Sequence, residues 1–243
     1  MWGTDFSRGA GRVEGYAALL ARTYGTELRL LHVAQPYPTL AVDAVSEIDL
    51  LEPVHRDVSH ALDDMAVRLR ERGLQVSATQ AEGIPSEEII AAARTDGADF
   101  ILLGSQGRTA LEHVLVGSTA ERVIKGAPCP VLTVHAGEAN PKSSVIRHIV
   151  VPLDFSKGSA DALEAAIVLA HTFEASITLL HVLEWSWLRL HYTIAQLADE
   201  ERIRQDLDIG MEPYVEAVRS EGLKVETVVL GCGGPGDFIV ETA

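Results

Sequence analysis

Residues 104–119 read GSQGRTALEHVLVGST: a glycine at 104, a second at 107, nine residues, then Gly117 followed by Ser118 and Thr119. The stretch follows an apolar run, Phe100-Ile101-Leu102-Leu103, with the length and character of a buried strand. Glycine lets the backbone approach a bulky anion without a Cβ in the way, and it reaches positive φ. Consecutive backbone N–H groups next to a helix N-terminus form a concave anion site. Ser118 and Thr119 are predicted to cap a helix over Ala120–Lys125 and to donate to a phosphate oxygen. The plain alternative is two loop glycines followed by an ordinary helix start. Context favours the first reading: a strand precedes the glycines, a helix follows, and Pro128-Cys129-Pro130 leads into a second apolar run, Val131–Val134. A GxxxxGK[ST] loop and a GxGxxG turn are both absent, and Gly9-Ala10-Gly11 reads as a helix start.

The rest of the composition sets bounds. A chain of 243 residues can form one large domain or two small ones. An apolar content of 47% with 23% charged residues describes an ordinary globular chain. The net charge of −15 argues against nucleic acid, whose phosphates need compensating Lys and Arg, and against an anionic membrane surface. An anion-binding loop in so acidic a chain has to rely on local backbone dipoles and on Arg108, the cation within the loop. No apolar stretch approaches the ~18 residues of a membrane span, and no secretory signal is visible. Cys129 and Cys232 stand alone, with no CxxC or Cys/His cluster, which fits a reduced, cytoplasmic setting.

The chain also repeats itself. Residues 5–33 align without gaps on 154–182 with twelve identities, among them Asp5-Phe6-Ser7 on Asp154-Phe155-Ser156 and Leu30-Leu31-His32-Val33 on Leu179-Leu180-His181-Val182. So long a period implies two copies of one domain. The first is expected over residues 1–137 and the second over 146–243, joined by a polar linker at 138–145. In copy one, helices are predicted at about 9–24, 46–72, 86–95 and 120–125, with strands at 27–33, 75–81, 100–103 and 131–134. Alternation of this kind implies α/β domains with parallel, doubly wound sheets. Asp5, Val33 and Gly104 fall just past strand ends, where ligands of such sheets sit.

With the DFS start, the LLHV strand, the glycine loop and the APCPVLTV ending in view, the chain resembles the universal stress protein family in tandem form, over nearly its whole length. Gly104, Gly107, Gly117 and Ser118 match that family's signature, G-x2-G-x9-G-[ST]. The resemblance implies Rossmann-like domains of the adenine nucleotide α-hydrolase type with strand order 3-2-1-4-5, pairing of domains through the last strand, and a homodimer as a further option. It implies ATP as the ligand: Thr4 and Asp5 near ribose and phosphates, Val33 against the adenine, and Gly104, Gln106, Gly107, Arg108, Gly117, Ser118 and Thr119 around the phosphates. Asp5 is the candidate for holding Mg²⁺ on ATP, since hard oxygens suit that ion. Gln106 replaces a histidine common in the family, and Gly3 a proline.

The departures lie at the ends. Copy one starts with only Met1–Asp5, so most of its first strand is expected to be missing, and copy two is expected to lack its C-terminal strands. A missing central strand would leave unpaired edges on its neighbours. One expected remedy is a strand from copy two, around Ile149–Pro152, filling the gap. The run Gly231-Cys232-Gly233-Gly234-Pro235-Gly236 reads as a glycine-rich turn equivalent to Glu82–Pro85.

Other residues carry paired readings. His32 and His181 at strand ends are expected to be structural rather than catalytic. Asp5 and Asp154, with Ser7 and Ser156, can open a helix as well as face a ligand. Cys129 reads as a packing residue. Trp185, Trp187, Leu188 and Leu190 form an apolar cluster, a lid or an interface, and 197–208 a solvated helix face. The function expected is nucleotide-dependent sensing or signalling in stress response, with slow or no hydrolysis. A slow ATPase and a scaffold without nucleotide stand as alternatives.

Overall fold

A computed structural model describes residues 1–35, 44–105, 116–135, 146–183, 200–231, 239 and 242. It divides into two compact units, Met1–Ser144 and Val145–Ala243.

In the first unit, β1 (Trp2–Gly3) leads to α1 (Arg8–Tyr24), β2 (Leu28–Ala34), α2 (Ala44–Glu71), β3 (Val76–Glu82), α3 (Pro85–Thr95), β4 (Ile101–Gly104), α4 (Ser118–Gly126) and β5 (Val131–Val134). The strands form one parallel sheet in the order β3-β2-β1-β4-β5. That is the order implied by the resemblance, and strand order reverses between β1 and β4. Alternation along the strands buries both faces. Leu31, Val33, Ile101 and Leu103 pack with Ile89, Ala93, Ala120 and Val123 of α3 and α4. Leu28, Leu30 and Leu102, on the opposite parity, are buried too, which requires cover on the other face.

The central strand is short but sufficient. Trp2 pairs with Leu30 on one side and Leu102 on the other, and Gly3 pairs with Leu31. Flanking backbone groups extend the ladder: Leu102 N–H donates to the Met1 carbonyl and Thr4 N–H to the Leu31 carbonyl, both at 2.9 Å. Trp2 is fully buried. Gly3 is closely packed: a Cβ there would lie 2.7 Å from Leu103 Cδ2 and 3.1 Å from Ile89 Cδ1, so those side-chain ends would have to shift.

The second unit holds β6 (His148–Pro152), α5 (Lys157–Phe173), β7 (Ser176–Leu183), α6 (Glu200–Ser220) and β8 (Val225–Gly231). Its parallel sheet runs β6-β7-β8. His148–Pro152 pairs with Ser176–Leu180 inside the same unit. The expectation that this strand fills a gap in copy one is therefore overturned: Trp2–Gly3 occupies that place, and backbone bonds from Met1 and Thr4 satisfy its neighbours. The core joins Val151, Leu153, Ile177 and Leu179 to Leu163, Ala166 and Ala170 of α5 and to Met211, Val215 and Val218 of α6. On α6, Ile203, Leu207, Met211, Val215 and Val218 recur at helical spacing on the buried face, and Arg202, Arg204, Asp206 and Asp208 are exposed.

Among the described residues no helix is long and apolar enough to cross a membrane. Ile101 fills the centre of the first unit's core with no exposed surface. Ile101→Ala is expected to cost about 2–5 kcal/mol of that unit's stability, measured by urea unfolding.

Candidate functional site

The chain leaves each first strand through the same turn. In unit one, Phe6 N–H donates to Thr4 Oγ1 at 3.1 Å and Ser7 N–H to Asp5 Oδ1 at 3.0 Å. Side-chain oxygens thus satisfy the backbone donors that a turn leaves free. Phe6 lies in the left-handed region, at φ 59. For a non-glycine residue that conformation costs about 1–2 kcal/mol, so something must hold it. His32 does so in two ways. Its Nδ1 bonds the Thr4 carbonyl at 2.8 Å, and its ring lies 4.9 Å from that of Phe6. A carbonyl only accepts, so Nδ1 carries the proton.

Unit two repeats the arrangement. His181 Nδ1 donates to the Leu153 carbonyl at 2.7 Å, Phe155 has φ 62, and the two rings lie 4.6 Å apart. Ser156 N–H donates to Asp154 Oδ1 at 2.9 Å. Ser156 also caps α5, accepting from Ser159 N–H at 3.2 Å. Hydrogen bonds from the Ser156 hydroxyl and amide and from the Ser159 hydroxyl hold the Asp154 carboxyl below its usual range. Both histidines are buried. Their bonds to strand-end carbonyls give them a structural role.

Parallel register sets which sequence-predicted residues share one level. Trp2 faces Leu30 and Leu102 and Gly3 faces Leu31, so Thr4 and Asp5 leave the sheet at the carboxyl edge where Val33 and Ser105 also lie. Thr4 and Val33 are buried, Asp5 is half-buried, and Gly104 closes β4 opposite Val134. The chain departs at Ser105 and returns at Gly117, whose N–H donates to the Ser105 carbonyl at 2.6 Å. Gln106, Gly107 and Arg108 lie outside the described residues, as do the linker, the Trp185–Leu190 cluster and most of the Gly231–Gly236 run.

The capping prediction needs correction. Gly117, with φ −71 and ψ 156, is the N-cap of α4; Ser118 is already the first helical residue and no side chain caps the helix. The reason is local: Gly117 offers its carbonyl to Glu121 N–H, and its own N–H is tied back to β4. Ser118 is exposed and Thr119 half-buried at the open helix end. Sequence reasoning did not single out Ser105 or His135. Ser105 is buried, and its Oγ lies 3.1 Å from His135 Nδ1, just past β5. Cys129 is half-buried against the α3–α4 core, and burial pushes its thiol up. Among the described residues no group of three or more His, Cys, Asp or Glu is arranged to hold a metal ion.

The universal stress protein family model matches residues 1–135 and again 146–243. The chain belongs to the universal stress protein family. It carries that domain in tandem. A universal stress protein of Methanocaldococcus jannaschii (MJ0531) is 34% identical over 133 residues, 54% of this chain and 76% of the relative. Another, from Thermus aquaticus, is 31% identical over 131 residues, 54% of this chain and 93% of the relative. The crystal structure of a universal stress protein from Archaeoglobus fulgidus covers 99% of this chain and 80% of its own length, with a TM-score of 0.69 at 21% identity. That likeness shows the fold.

The Asp154 turn gives a direct test. Its carboxyl titrates lower when folded than when unfolded, so its contribution to stability is present above the ordinary carboxylate pKa of about 3.9 and is lost as pH falls through the folded value. Ser156→Ala is expected to bring the Asp154 pKa up towards the ordinary value, read by carbon-detected NMR titration.

Proposed function

We propose that the first unit binds ATP and acts in stress response by nucleotide-dependent sensing or signalling. The observation that carries this reading is the Gly117-to-Ser105 hydrogen bond. It sets the end of β4 against Gly117, the N-cap of α4, at the carboxyl edge of the sheet beside the switch in strand order. The amides of the first turn of α4 have no acceptor within the helix, and they suit a polyphosphate. Asp5, Val33 and Ser105 all lie at the carboxyl edge of neighbouring strands, which suits a ligand lying across three strand ends. The glycine signature of the family supports the same assignment for Gly104, Gly107, Gly117 and Ser118, and Gln106, Arg108 and Thr119 are assigned to the phosphates as their neighbours in that stretch. On this reading Val33 backbone meets the base, Thr4 and Asp5 lie by the ribose, and Asp5 gives a hard oxygen for Mg²⁺ on the phosphates.

Binding rather than turnover is the proposed activity. Fast phosphoryl transfer needs a positioned water and a cation on the transferring group. The described residues at the strand ends offer a carboxylate, hydroxyls and amides, with no assembled base-and-arginine set among them. Isothermal titration with Mg·ATP should give saturable binding at one site per chain, with single-turnover hydrolysis slower than about 10⁻² s⁻¹. Gly117→Val should weaken ATP at least about tenfold, because a β-branched side chain crowds the phosphate approach. A wild-type chain that binds no ATP, while its far-UV spectrum and melting are those of a folded protein, would instead point to a scaffold.

A further inference from the structure

We propose that Ser105 and His135 act as a positioning pair for the first turn of α4, setting affinity for the phosphate portion of the ligand separately from the nucleoside. The proposal rests on the ATP-binding reading above and deepens it. Ser105 uses all its polar groups at the end of β4. Its N–H donates to the Val134 carbonyl at 2.9 Å, its carbonyl accepts from Gly117 N–H at 2.6 Å, and its hydroxyl meets His135 Nδ1 at 3.1 Å. Val134 and His135 are consecutive, so Ser105 is fastened to the end of β5 at two adjacent points.

The backbone bond to Val134 alone would let the end of β4 pivot against β5. The side-chain bond to His135 adds a second tie, and Ser105 is only 3% exposed, so the residue that holds Gly117 is itself held in place. The direction of the Ser105 carbonyl then fixes where Gly117, the N-cap of α4, can sit. The open amides of Ser118, Thr119 and Ala120 follow directly from that position. Neither residue needs to touch the ligand. The β1 turn, where the ribose would lie, is held by separate bonds of Thr4 with His32 and Leu31, and Val33 by its pairing with Ala81 of β3. Loss of the pair therefore loosens the phosphate end alone.

The serine–histidine bond needs only an acceptor or donor at the place of Nδ1, which an asparagine amide supplies. His135 is exposed, so replacing it leaves the core intact. The test compares ATP and adenosine affinities, the latter by competition against labelled ATP, in wild type, Ser105→Ala, His135→Leu and His135→Asn. Ser105→Ala and His135→Leu are expected to weaken ATP by about three- to tenfold, the worth of one net hydrogen bond, with adenosine changed less than about twofold. His135→Asn should recover most of the ATP affinity. Unchanged ATP affinity in His135→Leu, or equal losses for ATP and adenosine, would overturn the pair's role while leaving the nucleotide reading in place. Absence of ATP binding in wild type would overturn that reading and this one with it.

Discussion

A buried backbone carbonyl at the end of the first strand sets the geometry of each unit. It belongs to Thr4 in one and Leu153 in the other, and a histidine from the next strand donates to it. Left without a partner, such a carbonyl would cost about 1–3 kcal/mol. The same histidine ring supports a phenylalanine held at positive φ, where an unsupported residue would relax. The bond and the stacking together send the chain out of the sheet in one direction. That direction decides where the following aspartate and the first helix begin.

The middle of the larger sheet shows how little central strand this parallel sheet uses. Two residues of β1 bridge β2 and β4, and the adjoining amide and carbonyl groups complete the ladder. Burying Trp2 there supplies apolar contact that a longer strand would otherwise provide. Gly3 lets Leu103 and Ile89 close over the strand from one face. A proline at that position would fix φ and bring ring atoms into the same space.

Much of this was legible in the sequence because hydrophobic periodicity and turn residues report on local structure. The helices and strands of copy one fall within one or two residues of the predicted ones, since Pro85, Gly97 and Pro130 punctuate them. Strand order followed from the family resemblance carried by the glycine loop, not from any pattern in the strands. β1 is as short as the sequence implies; what the sequence does not show is its support, which comes from cross-strand bonds and one buried indole, neither of which has a sequence period. Ser118 was read as a cap because serine usually caps. The tie between Gly117 and Ser105 is a contact twelve residues apart, invisible to a local rule. The Ser105–His135 contact escaped for the same reason, since β5 and β4 meet only in the folded sheet.

The histidine–carbonyl latch is made from Thr4, Phe6 and His32 in one half of the chain and from Leu153, Phe155 and His181 in the other. A latch repeated in each half makes gene duplication cheap at this point of the architecture. Each descendant copy inherits a working hinge between strand and helix, so selection can rewrite the ligand-facing loops of one copy while the other keeps its shape.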